Sequence, residues 1–253
     1  MVFAPFTGLD NHYKCVTFAG GLLLKEDVES YSWLFKSFVN AVKKAPRIII
    51  TDQDPAMKIA IKDVLPNTRH RLCMWHIMTK VSKKVGAKKI NSKSFRKKLA
   101  NLVWGVNKTV EQFEEQWTAF IEEQSLQNNG WFSDMYAMRS YWIEAYFRDV
   151  LLGGLMRTTS ISESQNSFFG AYTGYKYTLL ELVVQFDTAM ETQRYHQMRN
   201  DIDSESKSHD MKTPLQIEKH ASEYYTLNVF KKVQEEIYSA CFNCFIVSMS
   251  KGT

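Results

Sequence analysis

Apolar positions in the first third of the chain change period several times, and each change marks an element. Residues 1–6 form a short apolar run, and 13–24 are rich in aromatic and branched residues such as Tyr13, Val16, Thr17 and Phe18. Both segments predict strands, with Gly8 and Asp10-Asn11 as the turn between them. Gly20-Gly21 predicts a bulge or a close approach of backbone. Tyr31, Leu34, Phe35, Phe38 and Val42 then recur at helical spacing and predict a helix over 26–44. Asp27 and Glu29 near its start and Lys43-Lys44 at its end suit the helix dipole.

Residues 47–51 predict a short buried strand. Asp54 follows as an N-cap and Pro55 as a first helical residue, with Met57, Ala60, Ile61 and Val64 as the buried stripe. Pro66 and Asn67 end that helix, 69–73 predict another strand, and a helix starts at Trp75-His76. Strands and helices in this order predict a mixed α/β sheet with helices packed on it. From 77 to 147 the spacing is helical throughout. Phe113, Trp117, Phe120 and Ile121 form one set, and Met135, Met138, Trp142 and Tyr146 another. The expected organisation is a core part at 1–78, a helical insertion at 79–147 and a returning core part at 148–199. A polar, mobile linker at 200–213 and a C-terminal helix and tail at 214–253 complete it. A further helix is expected to start near Ser162, a longer one to cover 179–198, and the final one 214–239.

Composition narrows the class. The chain has 253 residues, 45% hydrophobic, 13% aromatic and 23% charged, enough for a real core and far from a disordered composition. Its apolar runs fall short of the roughly 20 residues of a membrane helix. No basic n-region follows Met1, which argues against a signal peptide. The four cysteines, Cys15, Cys73, Cys241 and Cys244, form no disulfide framework. Cys241 and Cys244 have metal or redox spacing without a second pair, so buried small apolar residues are the expectation there. A soluble intracellular protein follows. The net charge of +5 is mild, yet it is segregated. Lys83, Lys84, Lys88, Lys89, Lys93, Arg96 and Lys97 lie between Lys80 and Lys98 with no acid among them, and Glu111, Glu114, Glu115, Glu122 and Glu123 follow. Such a run is either a solvated face or a phosphate-contacting surface. Phe95 is its lone aromatic, which argues against base stacking.

The segment from Asp52-Gln-Asp54-Pro to Leu72-Cys73-Met-Trp75-His76 resembles the transposase domain of Mutator-like elements. It is most similar to the plant far-red-impaired-response (FAR1-related) proteins derived from them. Pro5-Phe6, Asn11-His12, the Trp33 segment, Tyr141-Trp142, Ala145-Tyr146-Phe147 and Thr158-Thr159 through Ser162-Glu163-Ser164 extend the resemblance in order, over 2–236. It implies a ribonuclease H-like α/β core with an all-helical insertion before the last catalytic carboxylate. In active relatives three carboxylates hold two divalent metals for phosphoryl transfer on DNA. Asp52 matches the second carboxylate and Glu163 the third. Cys73 and His76 match a Cys-x-x-His signature between them. Two ligands are too few for a structural zinc, and a role in the ancestral pocket is expected instead. The first strand, with the first carboxylate, would precede Met1. Ile161 stands where close relatives often carry arginine.

The resemblance implies a domesticated, catalytically inactive transposase fragment acting in nuclear transcription regulation, in a family with roles in light signalling. The alternatives are a Mutator-like transposase with metal-dependent activity, or a truncated nonfunctional product. No metal or cofactor is expected in this chain. Zinc belongs to the family's zinc-finger domains outside it, and Mg²⁺ enters only if ancestral activity survives. The expected partners are DNA, through phosphate contacts by Lys83, Lys84, Lys88 and Lys89, and other family members as homo- or heterodimers. Neither a membrane nor a small-molecule substrate is expected.

Overall fold

The computed structural model describes residues 1–105, 108–149 and 178–243, except the side chains of residues 87 and 88. It divides into two compact units. The first comprises Met1–Ala4 and the described part of Gly21–Glu163, and the second Pro5–Gly20 with the described part of Ser164–Thr253.

Strands β1 (Val2–Leu9) and β2 (Cys15–Leu23) pair as a hairpin. So short a connection permits only an antiparallel pair. Its turn closes with the Tyr13 amide on the Asp10 carbonyl (3.1 Å), and Tyr13 takes a left-handed φ of 59°. Gly8 is not a turn residue as expected. It lies inside β1 under the Phe18 ring, where an added Cβ would come within 2.5 Å of Phe18 Cε2. At Gly21 the predicted close approach is real, since a Cβ there would lie 2.3 Å from Leu34 Cδ1.

In the first unit, helix α1 (Val28–Val42) is capped by Asp27, whose carboxylate accepts the Ser30 amide at 2.9 Å. Tyr31, Leu34 and Phe35 are buried, whereas Val42, counted in the apolar stripe, is exposed. Strand β3 (Ile48–Thr51) runs parallel to β4 (Arg69–Leu72), with Ile48 opposite Arg69 and Thr51 opposite Leu72. A parallel pair needs a crossover, and α2 (Pro55–Val64) supplies it, with Asp54 capping the Met57 amide at 2.7 Å. β3 is half-buried rather than buried, because among the described residues β4 is its sole strand neighbour. The expected single mixed sheet is likewise not formed by the described strands, which make two separate two-stranded sheets. The class is α/β, with helices predominating.

Five helices follow: α3 (Met74–Lys84), α4 (Ala87–Ile90), α5 (Lys93–Val103), α6 (Val110–Glu123) and α7 (Gly130–Ala137). Ser92, Thr109 and Asn129 cap the last three of them, Thr109 in a reciprocal capping box with Gln112. Their shared core holds Ile77, Phe95, Phe113, Trp117, Phe132 and Trp142. Met135, Met138, Trp142 and Tyr146 do not share one helix. α7 ends at Ala137 with Met138 as its C-cap, and two 3-10 turns, Arg139–Tyr141 and Glu144–Phe147, take over. The Trp142 indole N–H donates to the Met135 carbonyl (2.8 Å), anchoring the tighter path in the core. That path brings the chain back to β4. Arg69 pairs with Asp149 (2.7 Å) and donates to the Tyr146 carbonyl (2.8 Å), and buried Arg71 lies over the Phe147 ring.

The second unit contains α8 (Leu179–Ser206), α9 (Gln216–Tyr224) and α10 (Leu227–Phe242). The expected linker at 200–213 is corrected over its first half, because α8 continues to Ser206. Its polar residues satisfy one another along the helix, as in the Asp203–Lys207 pair at 2.8 Å. The expected single helix at 214–239 is two, broken at Tyr225–Thr226. The Thr226 hydroxyl there donates to the Asn11 carbonyl at 2.7 Å. Cys241 is exposed rather than buried, and Cys244 and the helix expected near Ser162 lie outside the described residues.

Polar contacts join this unit. The Gln193 side chain accepts the Thr17 amide (2.7 Å) and donates to the Thr17 carbonyl (3.0 Å), as a strand partner would. His12, 1% exposed, places Nε2 at 2.7 Å from Asp201. Buried Glu218 accepts the Lys212 and Thr213 amides (2.7 and 2.8 Å), the Thr213 hydroxyl and the Gln234 amide (2.6 Å). Burial alone would raise its pKa, but these donors, the Thr213 hydroxyl foremost, hold it down at about 2.

Candidate functional site

The register of β3 and β4 decides where the signature residues lie. Thr51 faces Leu72, and the Cys73 amide donates to the Thr51 carbonyl at 2.6 Å. Asp52 and Cys73 therefore leave the pair side by side, at the carboxyl ends of two parallel strands, where open α/β sheets place their ligands. Asp52 is exposed, and its carboxylate accepts the Asp54 amide at 3.2 Å. Cys73 is buried at the N-cap position of α3 without forming a side-chain cap. His76, one turn on, packs edge-on against Trp75 (4.8 Å), and its buried Nδ1 has no partner among the described residues.

Groups that sequence reasoning passed over complete this edge. The Thr51 hydroxyl and His70 Nε2 share a hydrogen bond of 2.8 Å. Burial, aided by Lys58, lowers the His70 pKa to about 4, so the ring is neutral. Burial, with the charges of Asp54, Glu26 and Asp52, pushes the Tyr31 phenol well above its ordinary value, and its hydroxyl donates to Glu26 at 3.4 Å. Lys80 donates to Gln53 (2.8 Å), tying the loop after β3 to the helical block. No motif of one segment could mark these groups, because each pairing joins different elements.

Glu163 and Ile161 lie outside the described residues, so Asp52, Cys73 and His76 form the described part of the expected set. No group of three or more His, Cys, Asp or Glu side chains suited to a metal occurs among the described residues. Asp52 brings one exposed carboxylate to this strand end.

The lysine run divides. Lys83 and Lys84 are exposed in the last turn of α3, and Lys93, Arg96 and Lys97 share the exposed face of α5. Lys89 instead donates to the Gln124 carbonyl at the C-cap of α6, and Lys98 pairs with Glu123. The Lys88 side chain is not among those described. No described helix is long and apolar enough to cross a membrane.

The pattern of the MULE transposase domain matches residues 1–80, the stretch holding the hairpin, both parallel strands, Asp52, Cys73 and His76. Protein FAR1-RELATED SEQUENCE 5 of Arabidopsis thaliana is 32% identical over 236 residues, 93% of this chain and 30% of that protein. Protein FAR-RED IMPAIRED RESPONSE 1 of the same plant is 30% identical over 235 residues, 92% of this chain and 28% of that protein. The chain is related by descent to the FAR1-related proteins. Protein FAR1-RELATED SEQUENCE 6, also from Arabidopsis thaliana, is 31% identical over 94% of the chain and 34% of its own length. The relationship to FAR1-related proteins thus runs past the MULE match, through the helical block and into the second unit. This chain spans about a third of the length of those relatives.

Proposed function

We propose that this chain is the transposase-derived part of a nuclear transcription regulator, a domesticated Mutator-like transposase that associates with DNA and no longer cuts it. The observation that carries the reading is the relationship to FAR1-related proteins over more than nine-tenths of the chain. The β3–α2–β4–α3 unit, with Asp52 at a strand end and a helical excursion that returns to β4, supports a ribonuclease H-like ancestry for the core. Asp52 and Glu163 would be its vestigial carboxylates.

DNA contact in this reading is made to phosphates by Lys83 and Lys84, joined by Lys93, Arg96 and Lys97. Lysine is a flexible point charge, less suited than the planar arginine fork to reading base edges. Lys89 serves the C-cap of α6 and is set aside. Three measurements test the reading. A fluorescent fusion expressed in plant cells should concentrate in the nucleus and alter transcription when tethered to a reporter promoter. Purified protein with Mg²⁺ or Mn²⁺ should leave DNA intact, and cleavage abolished in Asp52→Ala would establish the transposase reading instead. Replacing Lys83, Lys84, Lys93 and Lys97 with alanine should lower the slope of log affinity against log salt by about 0.9 for each phosphate no longer neutralised. Equal slopes would remove this surface from the DNA contact.

A further inference from the structure

The second unit carries a cleft of about 460 Å³ between the turn of the β1–β2 hairpin and the C-terminal half of α8. Polar side chains share its lining with Cys15 and Val16. Lys14 enters from the turn, and His196, Gln197, Arg199 and Asn200 from the helix. Asp10 and Asp203 also border it, but both are engaged. Asp10 accepts the His12 and Lys14 amides at 2.9 and 2.8 Å, and Asp203 pairs with Lys207 at 2.8 Å. Among the described residues neither Lys14 nor Arg199 is in an ion pair. The cleft thus presents two exposed cations and amide donors beside two carboxylates, of which Asp10 is held by backbone amides and Asp203 by Lys207, with Arg199 also acting on Asp203.

Its frame is held from below. Gln193 fixes α8 to the Thr17 backbone, and buried His12 ties the turn to Asp201. Lys232 lies over the Tyr13 ring at 4.0 Å, steadying the turn from α10. Lys14 and Arg199 are therefore presented from backbone segments that are fastened together. An arginine fork and a lysine point charge on one cleft suit an oxyanion with several acceptor oxygens. The volume falls within the range of small-ligand sites, enough for a phosphate together with its sugar.

We propose that this cleft is a phosphate-binding site, taking the phosphate of a nucleotide or of a nucleic-acid strand through Lys14, Arg199 and the Gln197 and Asn200 amides. The proposal rests on the cleft and not on the transcriptional reading. Titration of the full chain with inorganic phosphate, a nucleoside monophosphate and a short single-stranded oligonucleotide, followed by amide NMR shifts, tests it. All three ligands should shift amides of the hairpin turn and of α8. The double variant Lys14→Ala/Arg199→Ala should weaken each by about tenfold or more, with unchanged melting because both side chains are exposed. Gln197→Glu should weaken them too, by placing a negative charge in the cleft while both cations remain. An oligonucleotide that binds well beyond the monophosphate identifies a strand as the source, and equal affinities identify a free nucleotide. Absence of binding by all three ligands, affinities unchanged in both variants, or preference for a hexaglutamate peptide would overturn the proposal.

Discussion

The helical block and the second unit are held together by different physics. The block from α3 to the second 3-10 turn is an aromatic core, in which Trp117 alone packs on Phe113, Phe132, Tyr136 and Trp142. The second unit depends heavily on polar groups removed from water, including His12, Gln234 and Glu218, each nearly or wholly inaccessible. Burying apolar surface is favourable whatever the exact neighbours, whereas a buried polar group stabilises only when every partner is in place. The block should therefore lose stability in proportion to the volume removed. The second unit should lose it according to which donors are left unpaired.

The largest effect should come from Trp117→Ala, at about 3–5 kcal/mol. Hydrogen exchange should show weakened protection in α5, α6 and α7, and the contrast fails if α8 to α10 weaken equally. Next comes Glu218→Ala, which strands two backbone amides, a hydroxyl and the Gln234 amide. It should lower the melting temperature more than Glu218→Gln, which keeps an acceptor. The wild-type contribution also depends on pH. With the folded value at about 2 against an ordinary 4.5, it is full above about 4.5 and lost as pH falls towards 2. Glu218→Gln should flatten that part of the stability curve, and an unchanged curve would separate the acid sensitivity from this carboxylate.

Gln193→Ala should cost about 1–2 kcal/mol, the scale of two neutral hydrogen bonds, measured by urea unfolding. A null result would show that α8 does not depend on this strand-like clasp. In the first unit, His70 supplies a smaller pH dependence. Its folded value of about 4 lies below the ordinary 6.5, so between them the unfolded chain takes up a proton that the folded chain refuses. Stability is full above about 6.5 and falls as pH drops towards 4, and His70→Phe should remove this slope. Smallest of all, Asp52→Ala should change stability by less than about 0.5 kcal/mol, because the side chain is exposed. A larger loss would make Asp52 a structural residue of the β3 edge.

Periodicity and capping residues were enough to read the hairpin strands, α1, α2, α6 and the strands β3 and β4 from the amino-acid order. Those elements depend on local contacts: Asp27 capping Ser30, Asp54 with Pro55, Thr109 with Gln112. The motif around Asp52 and Cys73 was likewise legible, because it is one continuous segment. Their placement side by side was not, since it follows from the register of Thr51 against Leu72. The hidden features share a cause. Gln193 meets Thr17 across 176 positions and His12 meets Asp201 across 189, and no local pattern marks such a pair. The polar stretch after Asn200 looked like a linker because polarity alone does not separate a solvated helix from a loop. The long-range clasp of α8 on the hairpin and the Asp203–Lys207 pair decide in favour of the helix. Local free energies are written in the order of residues. A buried polar group takes its value from where the rest of the chain folds, and tertiary structure alone supplies that.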